Sequence, residues 1–222
     1  MGLKLPQFRG YTLTNVRDIT VCKGGCWVPA GPHPHNQEVD DMDKTEIRIH
    51  GRGGQGSVTL AQLLAQAAHE EGIWAQAFPA FGVERRGAPV EAFARFDESK
   101  ITDRSQVDEP DVVIVQDTSL LEYVDVTEGL TDDGLIIVNT GKDPSEVAIE
   151  TSGELLTVDA TEIALEHLGK PIMNTALLGA FAGATEALSR DSLEEVITRK
   201  FGGEIGEQNV AASNDAFTEV QA

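Results

Sequence analysis

Residues 46–72, EIRIHGRGGQGSVTLAQLLAQAAHEEG, change pattern three times within one short stretch. EIRIH (46–50) alternates apolar and polar side chains, the period of a half-buried strand. Gly51, Gly53, Gly54 and Gly56 follow at once. SVTLAQLLAQAAHEEG (57–72) then repeats Leu60, Leu63, Leu64, Ala67 and Ala68 at helical spacing, and Gly72 supplies a stop. A strand that turns through glycines directly into a helix commits the chain to stacked layers of sheet and helix.

The remainder agrees. WAQAFPAFG (74–82) and APVEAFARF (88–96) are extended segments, the second with Val90, Ala92, Ala94 and Phe96 on one face. DVVIVQD (111–117) and GLIIVNT (134–140) are near-continuous β-branched runs that suit strands covered on both faces. SLLEYVDVTEGL (119–130) between them can supply a crossover helix, and LLTVDA (155–160) is a further short strand. From Thr161 the pattern is helical: TEIALEHLG, NTALLGAFAGATEAL, SLEEVITRKF with a cap near Asp191, and 204–220. The expected fold is α/β, a mainly parallel sheet with flanking helices, over residues 45–222. It is preceded by an irregular N-terminal extension, 1–44, suited to docking on a partner.

The glycine loop carries the clearest chemistry. Glycines let the backbone turn sharply and approach a ligand closely. The amides at the following helix start lack partners and sit at the positive end of the dipole, which favours phosphate. Arg52 adds a cation and Ser57 a hydroxyl. Gly51, Gly53 and Gly56 fit the dinucleotide fingerprint, but no acidic residue stands about twenty positions on to hold a ribose, where Ala75-Gln76-Ala77-Phe78-Pro79 occurs instead. No Gly-Lys-Ser/Thr follows, so it is not a P-loop. A second polar knot, Glu84-Arg85-Arg86, lies between Gly82 and Gly87. Arg85 or Arg86 can face the same anion as the loop, or one can pair with Glu84 across a subunit interface. His50 reads as a packing residue, and His69 and His167 as exposed helix positions. Trp74, Phe78 and Phe81 suit an interface patch or the core. The small residues of LLGAFAGATEAL suit close helix packing, internal or between subunits.

Charge narrows the function. With 17 basic and 37 acidic side chains the formal charge is −20. Nucleic acid needs a basic face, so it is not an expected partner. No apolar stretch reaches the roughly 18–20 residues of a membrane span, and the N-terminus lacks a signal-peptide pattern, so the expected location is cytoplasmic. Two cysteines, Cys22 and Cys26, form no disulfide framework and cannot by themselves hold a four-cysteine iron–sulfur cluster.

GRGGQG after a strand, followed about 25 residues later by FPAFGVERRGAPVEAF, resembles the gamma subunit of pyruvate:ferredoxin oxidoreductase and related 2-oxoacid:acceptor oxidoreductases. The resemblance continues through RSQVDEPDVVIVQDTSLLE, GLIIVNT and NTALLGAFAGAT and covers about residues 45–220. It implies oxidative decarboxylation of a 2-oxoacid to acyl-coenzyme A, or the reverse carboxylation, with electrons passed to ferredoxin or flavodoxin. Pyruvate is the expected 2-oxoacid. Thiamine diphosphate, Mg and [4Fe–4S] clusters belong to alpha, beta and delta partner subunits, and coenzyme A is associated with the gamma domain. Carried over by position, Gly53, Gly54, Gln55, Gly56 and Ser57 match the loop that meets the coenzyme A phosphates; Gly51, Arg52, Arg85 and Arg86 complete the expected site. No catalytic base or nucleophile is expected in this chain.

The extension departs from the family pattern. Cys22, Cys26, His33 and His35 resemble a zinc-ligand set at loose spacing, against which the plainer reading is a docking arm with no metal. Two other functions stay open on the sequence: a stand-alone nucleotide-binding dehydrogenase, and a non-catalytic scaffold whose glycines only make a turn. The acidity, with 7 lysines against 10 arginines, fits a solvated surface, a basic partner or adaptation to high salt. Thermal melts of the assembled complex from low to molar salt separate these: adaptation requires loss of the folded complex at low salt, and full stability there leaves the other two.

Overall fold

The computed structural model describes residues 19–21, 27–29, 44–80 and 86–221. In the extension, β1 (Ile19–Val21) and β2 (Trp27–Pro29) pair antiparallel. The main sheet has six strands: β3 (Thr45–Arg52), β4 (Trp74–Pro79), β5 (Pro89–Asp97), β6 (Val112–Val115), β7 (Leu135–Asn139) and β8 (Glu154–Val158). Their order is β4-β5-β3-β6-β7-β8. The β3–β6, β6–β7 and β7–β8 pairs are parallel, and β5 runs antiparallel to both β3 and β4. Every strand except β5 therefore points the same way, and the sheet is mainly parallel as expected.

The α1 helix (Ser57–Glu70) follows β3; α2 (Ala160–Leu168), α3 (Asn174–Thr185), α4 (Arg190–Phe201) and α5 (Gly203–Glu219) complete the chain. They cover one sheet face. Ile47, Ile49, Ala92, Ala94, Phe96, Ile114 and Ile137 point into that layer and meet Leu60, Leu64, Leu177, Phe181 and Val196. The face expected for Ala92, Ala94 and Phe96 is thus the helix-covered one. The α3 helix lies inside, buried along nearly its whole length, which assigns its small residues to internal packing. A Cβ on Gly179 would stand 1.9 Å from the Ser213 carbonyl oxygen of α5, and one on Gly183 would stand 2.5 Å from that of Phe217. Only hydrogen at these positions permits so close an approach of the two backbones.

The opposite face differs from expectation. Residues 119–130 do not form a crossover α-helix. A single 3-10 turn, Thr118–Glu122, leads into further turns. Asp117, Asp125 and Asp143 each accept hydrogen bonds from the Ser or Thr two residues on, a local turn that competes with the helix. Val113, Val115, Val126, Ile136 and Val138 form a small core under these turns. The α4 cap is Ser189, whose hydroxyl accepts from the Ser192 amide at 3.2 Å; Asp191 sits in the first turn instead of at the cap. His69 and His167 are half-buried, not exposed, and His167 Nε2 lies 2.6 Å from Asp215 Oδ2. Phe78 is core, Trp74 half-buried, and Phe81 lies outside the described residues. No helix among the described residues is long and apolar enough to cross a membrane.

Between this small core and a second apolar cluster of Phe78, Phe93 and Val107 runs a set of buried polar side chains. Arg48 Nε donates to His50 Nε2 at 3.1 Å, and Arg48 Nη2 donates to the carbonyls of Val126 and Glu128. With Nε2 accepting, the proton of neutral His50 sits on Nδ1, 3.5 Å from Glu91 Oε1. Arg95, 1% exposed, pairs with Glu46 and lies over the Phe78 ring. His50 is thus a packing and hydrogen-bonding residue, as its position at the strand end suggested. Burial first, then the Arg48 charge, lower its pKa to about 4. The unfolded imidazole takes a proton below its ordinary 6.5, whereas the folded one resists until about 4. This group therefore costs stability as pH falls from 6.5 to 4, and the loss levels off below that. His50→Gln should remove about 3 kcal/mol of acid-side slope over that window in equilibrium urea denaturation.

Candidate ligand site at the strand switch point

The α1 crossover carries the chain from β3 across β5 to β4, while β6 sends it the other way to β7. The C-terminal ends of the neighbours β3 and β6 are thus left with connections that diverge. A crevice opens at such a switch point, and ligands of α/β sheets bind there. Arg52–Gly56 form one wall and Gln116–Ser119 the other. The turn before β5 and the N-terminus of α3 complete the rim.

The loop is fastened at both sides. The Gly53 amide donates to the Ala88 carbonyl and the Gly87 amide to the Gly53 carbonyl, both at 2.9 Å. The Gln55 amide closes a turn onto the Arg52 carbonyl at 2.9 Å, and the Gln55 side chain accepts from the Arg52 amide at 2.7 Å. Gly56, at φ +83°, enters α1 in the left-handed region and brings no side-chain cap. A Cβ there would stand 2.4 Å from Asn174 Nδ2. The amides of Gly54, Gly56, Ser57, Val58 and Thr59 donate to no partner among the described residues, and the first helical bond runs from the Leu60 amide to the Gly56 carbonyl at 3.0 Å. Unpartnered amides at a helix start, at the positive end of its dipole, are the kind of donor set that favours an anion.

Behind the loop lies a neutral hydrogen-bond relay. Ser57 Oγ donates to Gln116 Oε1 at 2.6 Å, and Gln116 Nε2 donates to Asn174 Oδ1 at 3.0 Å. All three residues are buried. Asn139 Nδ2, at the end of β7, donates to the Gln116 carbonyl at 2.9 Å and to Thr161 Oγ1 at 2.8 Å. The relay ties the ends of β3, β6 and β7 to the starts of α1, α2 and α3 without placing a charge beneath the loop.

The sequence-predicted residues divide by role. Gly51 to Ser57 are together, but the Ser57 hydroxyl turns inward to Gln116. Arg52 spans the crevice: Nε contacts Asp117 Oδ2 at 3.2 Å, Nη2 donates to Ser119 Oγ at 2.7 Å and Nη1 to the Gly87 carbonyl at 3.0 Å. Partial burial pushes the Asp117 carboxyl up, but hydrogen bonds from Ser119 and Gln55 and the Arg52 charge together hold it below the usual range. Arg86 is exposed, with its side chain about the tip at Gly54; its Cγ and Nε lie 3.9 Å from the position of a Gly54 Cβ. Glu84 and Arg85 lie outside the described residues, as do Cys22, Cys26, His33 and His35. Sequence reasoning missed Gln116, Asp117, Asn139 and Asn174 as members of the site. Their signal was position: three of them stand at or just after a strand end, but only the strand order shows which ends adjoin the loop.

The family model described as Pyruvate ferredoxin/flavodoxin oxidoreductase matches residues 46–219. The gamma subunit common to pyruvate and ketoisovalerate oxidoreductases of Pyrococcus abyssi is 56% identical over 179 residues, covering 79% of this chain and 97% of its own length. The crystal structure of the pyruvate oxidoreductase subunit PORC of Thermotoga maritima superposes with a TM-score of 0.71 at 39% identity, over 79% of this chain and 96% of that one. The 2-oxoglutarate:ferredoxin oxidoreductase of Magnetococcus marinus, with 2-oxoglutarate, coenzyme A and succinyl-CoA bound, shares the fold at a TM-score of 0.67 and 19% identity, over 82% of this chain and 32% of that one.

Gln116→Leu keeps the volume of the relay and strands the Ser57 hydroxyl and the Asn174 carbonyl. Each buried polar group left without a partner costs about 1–3 kcal/mol, so stranding two should lower stability by about 2–6 kcal/mol in urea denaturation. A loss under 1 kcal/mol would show that the relay is not a structural tie.

Proposed function

The chain belongs to the pyruvate ferredoxin/flavodoxin oxidoreductase family as a gamma-type subunit, and from that premise we propose that it supplies the coenzyme A diphosphate cradle of a heteromeric 2-oxoacid:ferredoxin oxidoreductase acting on pyruvate. The observation that carries this reading is the unpartnered run of amides at Gly54, Gly56 and the α1 start, opening on the switch-point crevice beside the exposed Arg86. A diphosphate needs several donors from one side and a cation. The Magnetococcus enzyme, in which coenzyme A is bound, contains the same fold within 32% of its chain, and this supports a ligand of this class.

In this scheme Gly51, Gly53 and Gln55 shape the loop, and Gly54, Gly56 and Ser57 present backbone amides to the phosphates. Arg86, with Arg85 beside it in sequence, neutralises the charge, and Arg52 holds the loop. The chain's work is to bind and orient coenzyme A. Decarboxylation and electron transfer fall to thiamine diphosphate, with Mg, and to the [4Fe–4S] clusters on the alpha, beta and delta subunits, with ferredoxin or flavodoxin as acceptor. Residues 45–222 are the domain that does this, and 1–44 form an arm that docks on a partner.

Arg86→Ala in the assembled complex should raise the KM for coenzyme A about tenfold, the worth of one charge-assisted hydrogen bond. The kcat at saturating coenzyme A and the KM for pyruvate should stay near wild type, because binding shared by ground and transition states moves KM alone. An unchanged KM for coenzyme A would place that ligand elsewhere.

A further inference from the structure

A carboxylate stands on the wall of a crevice read as an anion site, and its charge alone works against that ligand. Asp117 is nevertheless kept ionised, and its two oxygens face different ways. Oδ1 accepts the Ser119 amide at 3.0 Å and the Ser119 hydroxyl, closing the turn that follows β6. Oδ2 accepts Gln55 Nε2 at 3.0 Å and Arg52 Nε at 3.2 Å, both from the glycine loop. Gln55 in turn accepts the Arg52 amide at 2.7 Å, so Asp117, Gln55 and Arg52 close a ring of hydrogen bonds. Arg52 extends the ring to the Gly87 carbonyl at 3.0 Å, next to Arg86. The loop between Arg52 and Gly56 is therefore held at its base from across the crevice by Asp117, which takes both Gln55 and Arg52, and by the Ser119 hydroxyl that Asp117 itself holds and that accepts from Arg52 at 2.7 Å.

We infer that Asp117 is a positioning residue for the glycine loop: it fixes Arg52 and Gln55 so that the Gly54 and Gly56 amides and Arg86 face one point. The inference rests on the reading of the loop as the coenzyme A cradle. It assigns Arg52 to holding the loop, leaving Arg86 as the ligand's cation among the described residues. A bystander carboxylate and a positioning carboxylate make opposite predictions. Removing a bystander relieves repulsion and tightens anion binding. Removing a positioning group frees the loop, and the ligand must then order it, which weakens binding.

Asp117→Asn separates the two, because its remaining oxygen still closes the Ser119 turn while its new N–H₂ faces two donors. Gln55→Ala cuts one tie to the loop and leaves the carboxylate in place. In the assembled complex both variants should raise the KM for coenzyme A about three- to tenfold, with kcat at saturating coenzyme A and the KM for the 2-oxoacid retained. Hydrogen exchange of amides 52–58, measured without ligand, should speed up in both. A lower KM for coenzyme A in Asp117→Asn, or unchanged loop exchange in both variants, would overturn the inference. Faster exchange with no change in KM in these variants or in Arg86→Ala upholds the positioning role and refutes the coenzyme A assignment.

Discussion

The placing of β3 between an antiparallel neighbour and a parallel one governs the ligand edge. Its register with β5 runs from Thr45 opposite Phe96 to Arg52 opposite Pro89, and with β6 from Ile47 opposite Val112 to His50 opposite Val115. The strand therefore outlasts β6 at the C-terminal end and carries Gly51 and Arg52 past it, still paired to β5. The loop then starts from a backbone held on one side only, and the crevice is the space on the other. The return of β5 from β4 fills the slot that a simple crossover would leave empty. That brings Arg86, Gly87 and Ala88 to the loop from the opposite direction.

Much of this was legible in the sequence because it depends on local pattern. The alternation of EIRIH, the helical spacing after Ser57 and the β-branched runs at 112–115 and 135–139 set the elements, and the glycines between β3 and α1 marked the turn around which the candidate site is built. What was not legible depends on competition or on long-range order. Residues 119–130 have enough leucine and valine for a helix, yet the Asp-x-Ser and Asp-x-Thr turns at Asp117 and Asp125 take the backbone first. Gln116 and Asn174 are 58 positions apart and meet only because β6 adjoins β3 and α3 starts at the same edge. Arg52 shows the limit of reading a charge by type, since each nitrogen of its guanidinium already has a partner on Asp117, Ser119 or Gly87.

Charge is arranged in layers around the loop. The surface is acidic, the crevice wall carries the Arg52–Asp117 pair, and the relay beneath is made of amides and hydroxyls. Neutral groups suit that position. A buried carboxylate under the loop would repel a phosphate through a low-dielectric interior. A buried cation there would need its own partner, whereas Gln116 and Asn174 satisfy one another. His50, one residue before the loop, follows the same rule by remaining neutral where its burial would make a charge costly.

The close contact of α3 with α5 reaches further than packing. With hydrogens at Gly179 and Gly183 the two helices meet almost backbone to backbone, and α3 has little room to slide or tilt. Asn174 stands at the head of that helix, against Gly56. The glycine loop is thus mounted on something like a splint, set when the chain folds. On the proposed reading, a phosphate arriving at the loop would meet a surface whose ordering has already taken place. Substitution at the two glycines where α3 meets α5 would accordingly be felt at the loop itself, through Asn174 against Gly56.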